Sequence, residues 1–399
     1  MSTLVTSAPT KLHLAKRMSR LGTETAFEVL VRARALERQG KNIVHLEIGE
    51  PDFDTPGNIV EAAVGALHMG STHYGPSAGL PDLREAIAED VTKSRGVKFT
   101  ADEVVVVPGG KPIIFFTMLA LVEEGDEVIY PNPGFPIYES MINFLGAKAV
   151  PIPLREERDF RLDVNELKSL INDRTRLIIL NSPQNPTGGV LTKGDIYDIA
   201  DAIGDRDIMV LSDEIYGRLL FEGEQFSISA VEGMKDRTII LDGFSKTYAM
   251  TGWRMGYGVM RADLATHIAR LMTNSNSCTA SFTQIAGIEA IRGDQSETEH
   301  MRLEFQKRRN VFVNGINQVK GFSCLSPKGA FYTFPNVKQT GWPSKKLADA
   351  LLDEAGVAAL SGTAYGAFGE GYLRFSVANS VENIETALDR IDRWAKKNL

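Results

Sequence analysis

The sequence predicts an α/β fold in which a large, mainly parallel, seven-stranded sheet is accompanied by a smaller α/β domain. Short apolar runs rich in β-branched residues alternate with longer segments of helical periodicity, the pattern of a parallel sheet covered by helices on both faces. The chain has 399 residues, of which 43% are hydrophobic. Because single cores stop growing at roughly 250–300 residues, this length indicates two domains.

Seven apolar runs are predicted to be the strands of the large sheet. They are residues 104–107, 127–130, 149–153, 177–180, 208–212, 238–241 and 256–260. Helical patterns separate most of them. The gap between the last two is too short for a crossover helix, so we expect the last strand to be antiparallel.

The remaining segments predict the smaller domain. Helices are expected at about residues 25–39, from within residues 286–300 through Asn310, near residues 344–354 and from about Val381, with strands at residues 329–335 and 372–377. We therefore assign residues 12–48 and 296–399 to the small domain and residues 49–295 to the large one.

Composition excludes several classes of protein. A net charge of −7 and a pI near 5.6 argue against nucleic acid and anionic membranes as partners. No run of about 18 apolar residues is present, so no membrane-spanning segment is expected. The two cysteines, Cys278 and Cys324, fit neither a disulfide framework nor a metal site, which favours a reducing cytoplasm.

A single lysine, Lys246, follows the predicted strand at residues 238–241, in the run Asp-Gly-Phe-Ser-Lys-Thr. Ligands bind beyond the carboxyl ends of strands in open α/β sheets. A lysine that is desolvated there can form a Schiff base with an aldehyde. A lone loop lysine is more often simply solvated, so the interpretation depends on three other segments.

The first of these segments places a carboxylate, Asp213, directly after an apolar run. A buried aspartate can keep the ring nitrogen of pyridoxal phosphate protonated, which that cofactor needs as an electron sink. Tyr216, three residues later, could donate a hydrogen bond to the ring oxygen. The alternative for Asp213 is the N-cap of a helix.

The other two segments are loops that also follow strands. Asn185 lies in an Asn-Pro-Thr-Gly run and could face the ring oxygen, although an ordinary turn is the alternative. Gly109 and Gly110 come between a strand and a helix, where backbone N–H groups can bind phosphate. Arg254 would add a bidentate phosphate contact.

Together these segments resemble the fold-type-I, pyridoxal-phosphate-dependent aminotransferases of class I/II, the aspartate-aminotransferase-like superfamily, over about residues 14–394. The nearest branch contains the prokaryotic aspartate, aromatic and broad-specificity transaminases. The motifs that carry the resemblance are residues 50–56, 74–79, 185–188, 212–216, 245–247, 252–254 and 374–376.

The resemblance implies three groups of site residues. The catalytic group comprises the Schiff-base lysine, the ring-nitrogen partner and a ring-oxygen ligand, which are Lys246, Asp213 and Tyr216. The cofactor-binding group adds Gly109, Gly110, Lys111, the ring-stacking Phe135, Asn185, Ser245, Arg254 and, from a neighbouring subunit, Tyr74. The substrate-binding group is Gly49, Asn185, Lys111 and Arg374, of which Arg374 pairs with the α-carboxylate.

The chain departs from the family's pattern at two places. Many members have a phosphate-binding serine three residues before the lysine. Gly243 occupies that position here, so either Ser245 serves instead or the phosphate has fewer ligands. Some aspartate-specific members have hydroxyl residues that help the counterpart of Lys111 hold a distal carboxylate. Ala26, Phe27 and Glu28 align there, which predicts broad rather than aspartate-specific activity.

The predicted function is ping-pong transfer of an amino group from an L-amino acid to a 2-oxo acid, with 2-oxoglutarate as the expected acceptor. A homodimer with shared active sites is expected. A β-lyase, an aminocyclopropane-carboxylate-type lyase and a racemase share the same key residues and stay open as alternatives, and a non-catalytic regulator is a further one. A dinucleotide-binding enzyme is disfavoured because no G-x-G-x-x-G motif follows the first strand.

Overall fold

The computed structural model describes residues 12–399. The strands, in chain order, are β1 (Val44–His45), β2 (Val104–Val107), β3 (Glu127–Asn132), β4 (Lys148–Pro153), β5 (Thr175–Asn181), β6 (Met209–Asp213), β7 (Thr238–Gly243), β8 (Gly256–Val259), β9 (Tyr332–Thr333), β10 (Val357–Ala358), β11 (Leu360–Ser361) and β12 (Leu373–Ser376). The α-helices are α1 (Ala26–Arg38), α2 (Gly57–His68), α3 (Pro81–Arg95), α4 (Lys111–Leu121), α5 (Ile137–Leu145), α6 (Val164–Leu170), α7 (Lys193–Ile203), α8 (Ala262–Ser275), α9 (Ser281–Arg292), α10 (Ser296–Ile316), α11 (Ser344–Ala350) and α12 (Val381–Asn398).

Seven strands form the large sheet in the order β2-β8-β7-β6-β5-β3-β4. All seven predicted strands are present, with ends within two residues of the predicted ones. Strand β8 is antiparallel to both of its neighbours, as predicted, whereas the other pairs are parallel. The predicted fold class is therefore confirmed.

Helices cover both faces of this sheet. Successive side chains of β5 point to opposite faces, as the pleat requires. Leu177 and Ile179 pack into a cluster that includes residues of α4, α5 and α8, whereas Ile178 and Leu180 pack with residues of α6 and α7. This double burial explains why the strands are apolar runs without polar alternation.

Two small sheets lie outside the large one, and one of them pairs an N-terminal strand with a C-terminal strand. Strand β1 pairs with β10 in parallel, and β11, β12 and β9 form an antiparallel sheet. Strand β1 and helix α1 share contacts with the C-terminal segment, as in the cluster of Ala33, Ile43, Leu352 and Ala358. This pairing supports the predicted small domain, although its boundaries stay a prediction.

The long helix predicted through Asn310 is present as α10, which begins within the predicted range and continues to Ile316, whereas the residues before it form a separate helix, α9. Gly293 caps α9, and a Cβ atom at this position would lie 2.6 Å from the carbonyl oxygen of Glu289. The Asp294 carboxylate then accepts a hydrogen bond from the Ser296 N–H at 3.1 Å, which favours a new helix start.

The strand predicted at residues 329–335 is shorter than expected, since only Tyr332 and Thr333 pair with β12. Ala330 has a positive φ of 58°, which breaks the extended conformation before the strand, and Pro335 has no N–H to donate after it. Among residues 12–399, no helix combines the length and apolarity needed to cross a membrane.

Candidate active site

A cavity of about 460 Å³ lies beyond the carboxyl ends of β5, β6 and β7. Most of the predicted site residues line it: Gly49, Gly110, Lys111, Phe135, Asn185, Asp213, Tyr216, Ser245, Lys246, Arg254 and Arg374. Gly109 lies directly behind this lining, against Arg254. Tyr74 does not line the cavity, and 87% of its surface is exposed.

Lys246 lies in the turn after β7, and its ammonium donates a hydrogen bond to the Gly49 carbonyl. Burial lowers the pKa of Lys246 from 10.5 to about 8. Four neighbouring charges act in opposite directions on this pKa, since Glu50 and Glu24 raise it whereas Arg374 and Lys111 lower it. Desolvation therefore decides the shift, and an appreciable fraction of the amine is neutral near pH 8.

Asp213 is the last residue of β6 and is buried. Its carboxylate accepts hydrogen bonds from the Tyr138 hydroxyl at 2.6 Å and from the Ile215 N–H at 3.2 Å. Burial raises the pKa of Asp213 to about 6. The alternative of a helix N-cap is wrong, because a turn and not a helix follows β6. A cationic ring nitrogen would provide the positive partner that a buried carboxylate requires.

Arg374 is buried on β12, with 3% of its surface exposed. It donates hydrogen bonds to the Asn185 side-chain oxygen at 3.3 Å and to the Glu47 carbonyl. Its Nε has no hydrogen-bond partner, and no carboxylate within residues 12–399 pairs with the guanidinium. A buried guanidinium in this setting is suited to an anionic ligand.

Tyr216 lies beside a second tyrosine that the sequence analysis missed. The Tyr216 and Tyr332 hydroxyls are 2.8 Å apart, and burial raises both pKa values. Tyr332 also lies under the guanidinium of Arg374, with 4.5 Å between Cζ and the ring centroid. The short strand that carries Tyr332 has no motif that would have identified it.

Tyr138 is another residue that the sequence analysis missed. It is fully buried and its ring packs edge-on against Phe135 at 5.8 Å. No motif identifies Tyr138 in the sequence, because Phe135 precedes α5 and helical spacing does not connect the two residues. Its hydrogen bond orients the carboxylate of Asp213.

The turn between β2 and α4 has the shape of a phosphate site. Gly109 has a φ of 81°, and a Cβ atom there would lie 2.2 Å from Nη2 of Arg254. The guanidinium of Arg254 donates to the Thr251 carbonyl at 2.8 Å, and no carboxylate in the described chain pairs with it. With the N-terminus of α4 beside them, these groups fit the phosphate of pyridoxal phosphate.

The structure explains why glycine replaces the family's serine three residues before Lys246. Gly243 faces Gly256 across β7 and β8, and a Cβ atom on Gly243 would lie 2.8 Å from the Gly256 Cα. A Cβ atom on Gly256 would in turn lie 2.7 Å from the Gly110 nitrogen. Glycine therefore allows these backbones to approach closely, and the Ser245 side chain lines the cavity instead.

The far end of the cavity contains an ion pair that no sequence motif predicted. Lys111 pairs with Glu24 and not with Glu28, which is exposed and does not line the cavity. The wall here is formed by the segment before α1 and the first turn of that helix: Glu24, Thr25, Ala26 and Phe27. No sequence pattern connects Glu24 with Lys111, because the two residues lie 87 positions apart and Glu24 belongs to an irregular segment.

Comparisons with known proteins identify the family of the chain. The family model "Aminotransferase class I and II" matches residues 41–391. An aspartate aminotransferase of Pyrococcus abyssi is 41% identical over 88% of this chain and 92% of its own length. An aromatic-amino-acid aminotransferase of Thermococcus litoralis is 40% identical over 90% and 92% of the two chains.

Solved structures include the aspartate aminotransferase of Thermus thermophilus with maleate. It is 35% identical, covers 96% of this chain and all of its own, and superposes with a TM-score of 0.92. The sequence, the fold and the residues around the cavity thus identify the chain as a member of the class I and II aminotransferases, which are enzymes that depend on pyridoxal phosphate.

Proposed function

We propose that Arg374 binds the α-carboxylate of an L-amino acid while the α-amino group lies beside Lys246. The observation that carries this proposal is that both cations line one cavity and donate to the same short segment, Arg374 to the Glu47 carbonyl and Lys246 to the Gly49 carbonyl. Two cations that donate to one short segment are held close together, so they can bind a substrate's carboxylate and amino group at the same time.

Pyridoxal phosphate, when bound, withdraws electrons from the bonds of the substrate α-carbon. The residues of the chain then transfer protons and stabilise charge. Lys246, with its pKa of about 8, is suited to remove the α-proton and to return it, because a general acid–base group works best near ambient pH. Asp213, oriented by Tyr138, holds positive charge on the ring nitrogen.

The proposed substrates are several amino donors with 2-oxoglutarate as the acceptor. The far end of the cavity would hold the side chain of the substrate and is named the side-chain end. It combines one cation, Lys111, with apolar surface from Ala26, Phe27 and Phe135. Such a wall can contact acidic and apolar side chains alike. The names of the relatives, one an aspartate and one an aromatic aminotransferase, support neither class alone.

A panel of donors tests this proposal. Initial rates with aspartate, glutamate, alanine and phenylalanine, each with 2-oxoglutarate, pyruvate and oxaloacetate, should show that 2-oxoglutarate accepts from several donors. A preference for aspartate above about a thousandfold would contradict broad specificity. Release of ammonia and pyruvate from an added donor with a leaving group on its β-carbon, such as β-chloroalanine, would favour a lyase instead. Appearance of D-amino acids without transfer would favour a racemase.

We also propose a homodimer in which Tyr74 contributes to the partner's cofactor site. Its side chain is exposed and lies outside the cavity of its own chain, which is suited to a contact made across a subunit boundary. In a C₂ dimer the same contact would complete both sites.

Mixing Tyr74→Ala and Lys246→Ala proteins tests the shared site. About half of randomly reassembled dimers are hybrids, and each hybrid has one site free of both substitutions, so about a quarter of wild-type activity should return. Recovery that does not exceed the activity of the parents would contradict the shared site. An active monomer in light scattering would do the same.

A further inference from the structure

The side-chain end of the cavity carries an acidic group of the protein itself. The ammonium of Lys111 donates a hydrogen bond to Oε1 of Glu24. Glu24 is largely enclosed, with 17% of its side chain exposed, whereas 43% of the Lys111 side chain is exposed. The cation available to a substrate side chain is therefore already paired.

This pairing changes what the wall can recognise. With Glu24 ionised, the pair has no net charge, so it attracts a distal carboxylate only weakly. An acidic donor would have to share the ammonium with Glu24, and two carboxylates at one cation repel each other. An uncharged side chain meets no such repulsion and finds the Phe135 ring, whose centroid lies 5.6 Å from Nζ of Lys111.

A second observation places this pair close to the reacting groups. Both Glu24 and Lys111 act on the charge of the Lys246 amine, with opposite signs, and both line the same cavity as that amine. A donor held between Lys246 and Arg374 therefore lies within the field of the pair. The charge of Glu24 therefore acts on a bound donor, in addition to any effect on the stability of the protein.

We propose that Glu24 is a specificity-determining residue, which neutralises Lys111 at the substrate side-chain end and thereby lowers the preference for acidic over uncharged donors. The proposal deepens the proposed function and rests on it. It predicts that removal of an acidic residue improves the reaction of acidic substrates.

Glu24→Gln keeps the size of the side chain and removes its charge. We expect the ratio of kcat/KM for aspartate to that for alanine to rise about tenfold. This is the lower end of the effect of one charge-assisted hydrogen bond, because Lys111 is partly exposed and its charge is screened. Glu28→Gln is the matched control, since Glu28 is an exposed carboxylate that does not line the cavity, and the ratio there should stay within about twofold.

Binding of unreactive acids gives a readout that does not depend on turnover. Maleate and isocrotonate (cis-but-2-enoate) have the same carbon skeleton, but isocrotonate has a methyl group in place of the second carboxylate. In calorimetric titrations of the cofactor-loaded enzyme, Glu24→Gln should increase the affinity for maleate, relative to the affinity for isocrotonate, by about tenfold. The relative affinity should not change in Glu28→Gln.

Two results would overturn the proposal. An unchanged ratio in Glu24→Gln would mean that the carboxylate has no part in selecting the side chain. A fall in the ratio would mean that Glu24 instead holds Lys111 in place for acidic donors. Either result can occur while the wild-type enzyme transfers amino groups from every donor. Failure of this inference is therefore distinguishable from failure of the proposed function, which is a wild-type preference for aspartate above about a thousandfold or the absence of amino-group transfer.

Discussion

The two ends of the cavity are built in opposite ways. At the reacting end, Lys246, Asp213 and Arg374 come from the ends of β7 and β6 and from β12, and each is enclosed by buried neighbours. At the side-chain end, Lys111 and Glu24 come from the first residue of α4 and the segment before α1, and both keep some exposure to solvent.

The two ends therefore differ in how a substitution should affect the reaction. Burial lowers the pKa of Lys246 to about 8 and raises the pKa of Asp213 to about 6, because both groups are largely removed from water. The exposed end is screened and can make only smaller distinctions. Changes at the buried end should therefore reduce the reaction of all donors alike, whereas changes at the exposed end should alter the ratios between donors.

Lys246→Ala should have the largest effect. Turnover should fall below detection for every donor, because no other amine within the described part of the cavity wall is placed like that of Lys246. Mass spectrometry after borohydride reduction should find no cofactor attached to the variant. Lys168→Ala, which removes an exposed lysine on α6, is the control and should retain both properties. Normal turnover in Lys246→Ala would contradict the assignment.

Asp213→Asn should have the next largest effect. The amide keeps an acceptor for the Tyr138 hydroxyl but loses the charge that stabilises a protonated ring nitrogen. We expect single-turnover rates to fall by at least about 100-fold for each donor, the usual scale for losing one electrostatic contact in a transition state. Rates within a few-fold of wild type, or losses that differ strongly between donors, would contradict this role.

The same substitution should stabilise the protein when the cofactor has been removed. A carboxyl whose pKa is raised from 3.8 to about 6 binds more protons folded than unfolded between these values, so its contribution to stability is lost as the pH rises through 6. Asparagine avoids that loss, which is worth at most about 3 kcal/mol at pH 7–8. Denaturant unfolding of the apoprotein at pH 4 and pH 8 should show a gain at pH 8 that is absent at pH 4.

Lys111→Met should have the smallest effect, and it should change the ratio of kcat/KM values between donors. The variant leaves Glu24 without its cation, so the ratio of kcat/KM for aspartate to that for phenylalanine should fall by about tenfold. Steady-state rates with both donors measure this ratio, and Lys193→Met, at the exposed start of α7, serves as the control. An equal loss for both donors would place Lys111 at the reacting end and remove the contrast between the two ends.

The sequence by itself determined the large sheet and the reacting end of the cavity. Strands that are buried on both faces appear as apolar runs, and the polar residue that ends such a run lies at a predictable edge of the sheet. Lys246 and Asp213 could be identified for this reason. Asn185 could be proposed from its loop, whereas Arg374 came from the family resemblance. The roles of all four residues stay predictions.

Only the tertiary structure decided the contacts between distant segments. Tyr216 meets Tyr332 across 116 positions, and Lys111 meets Glu24 across 87. The glycines at positions 243 and 256 are explained by the close approach of two strands and a turn. Local periodicity reports which face of an element is buried, but it carries no information about which distant segment packs against that face. The charge at the side-chain end of the cavity therefore became visible only when the segment before α1 was placed against the start of α4.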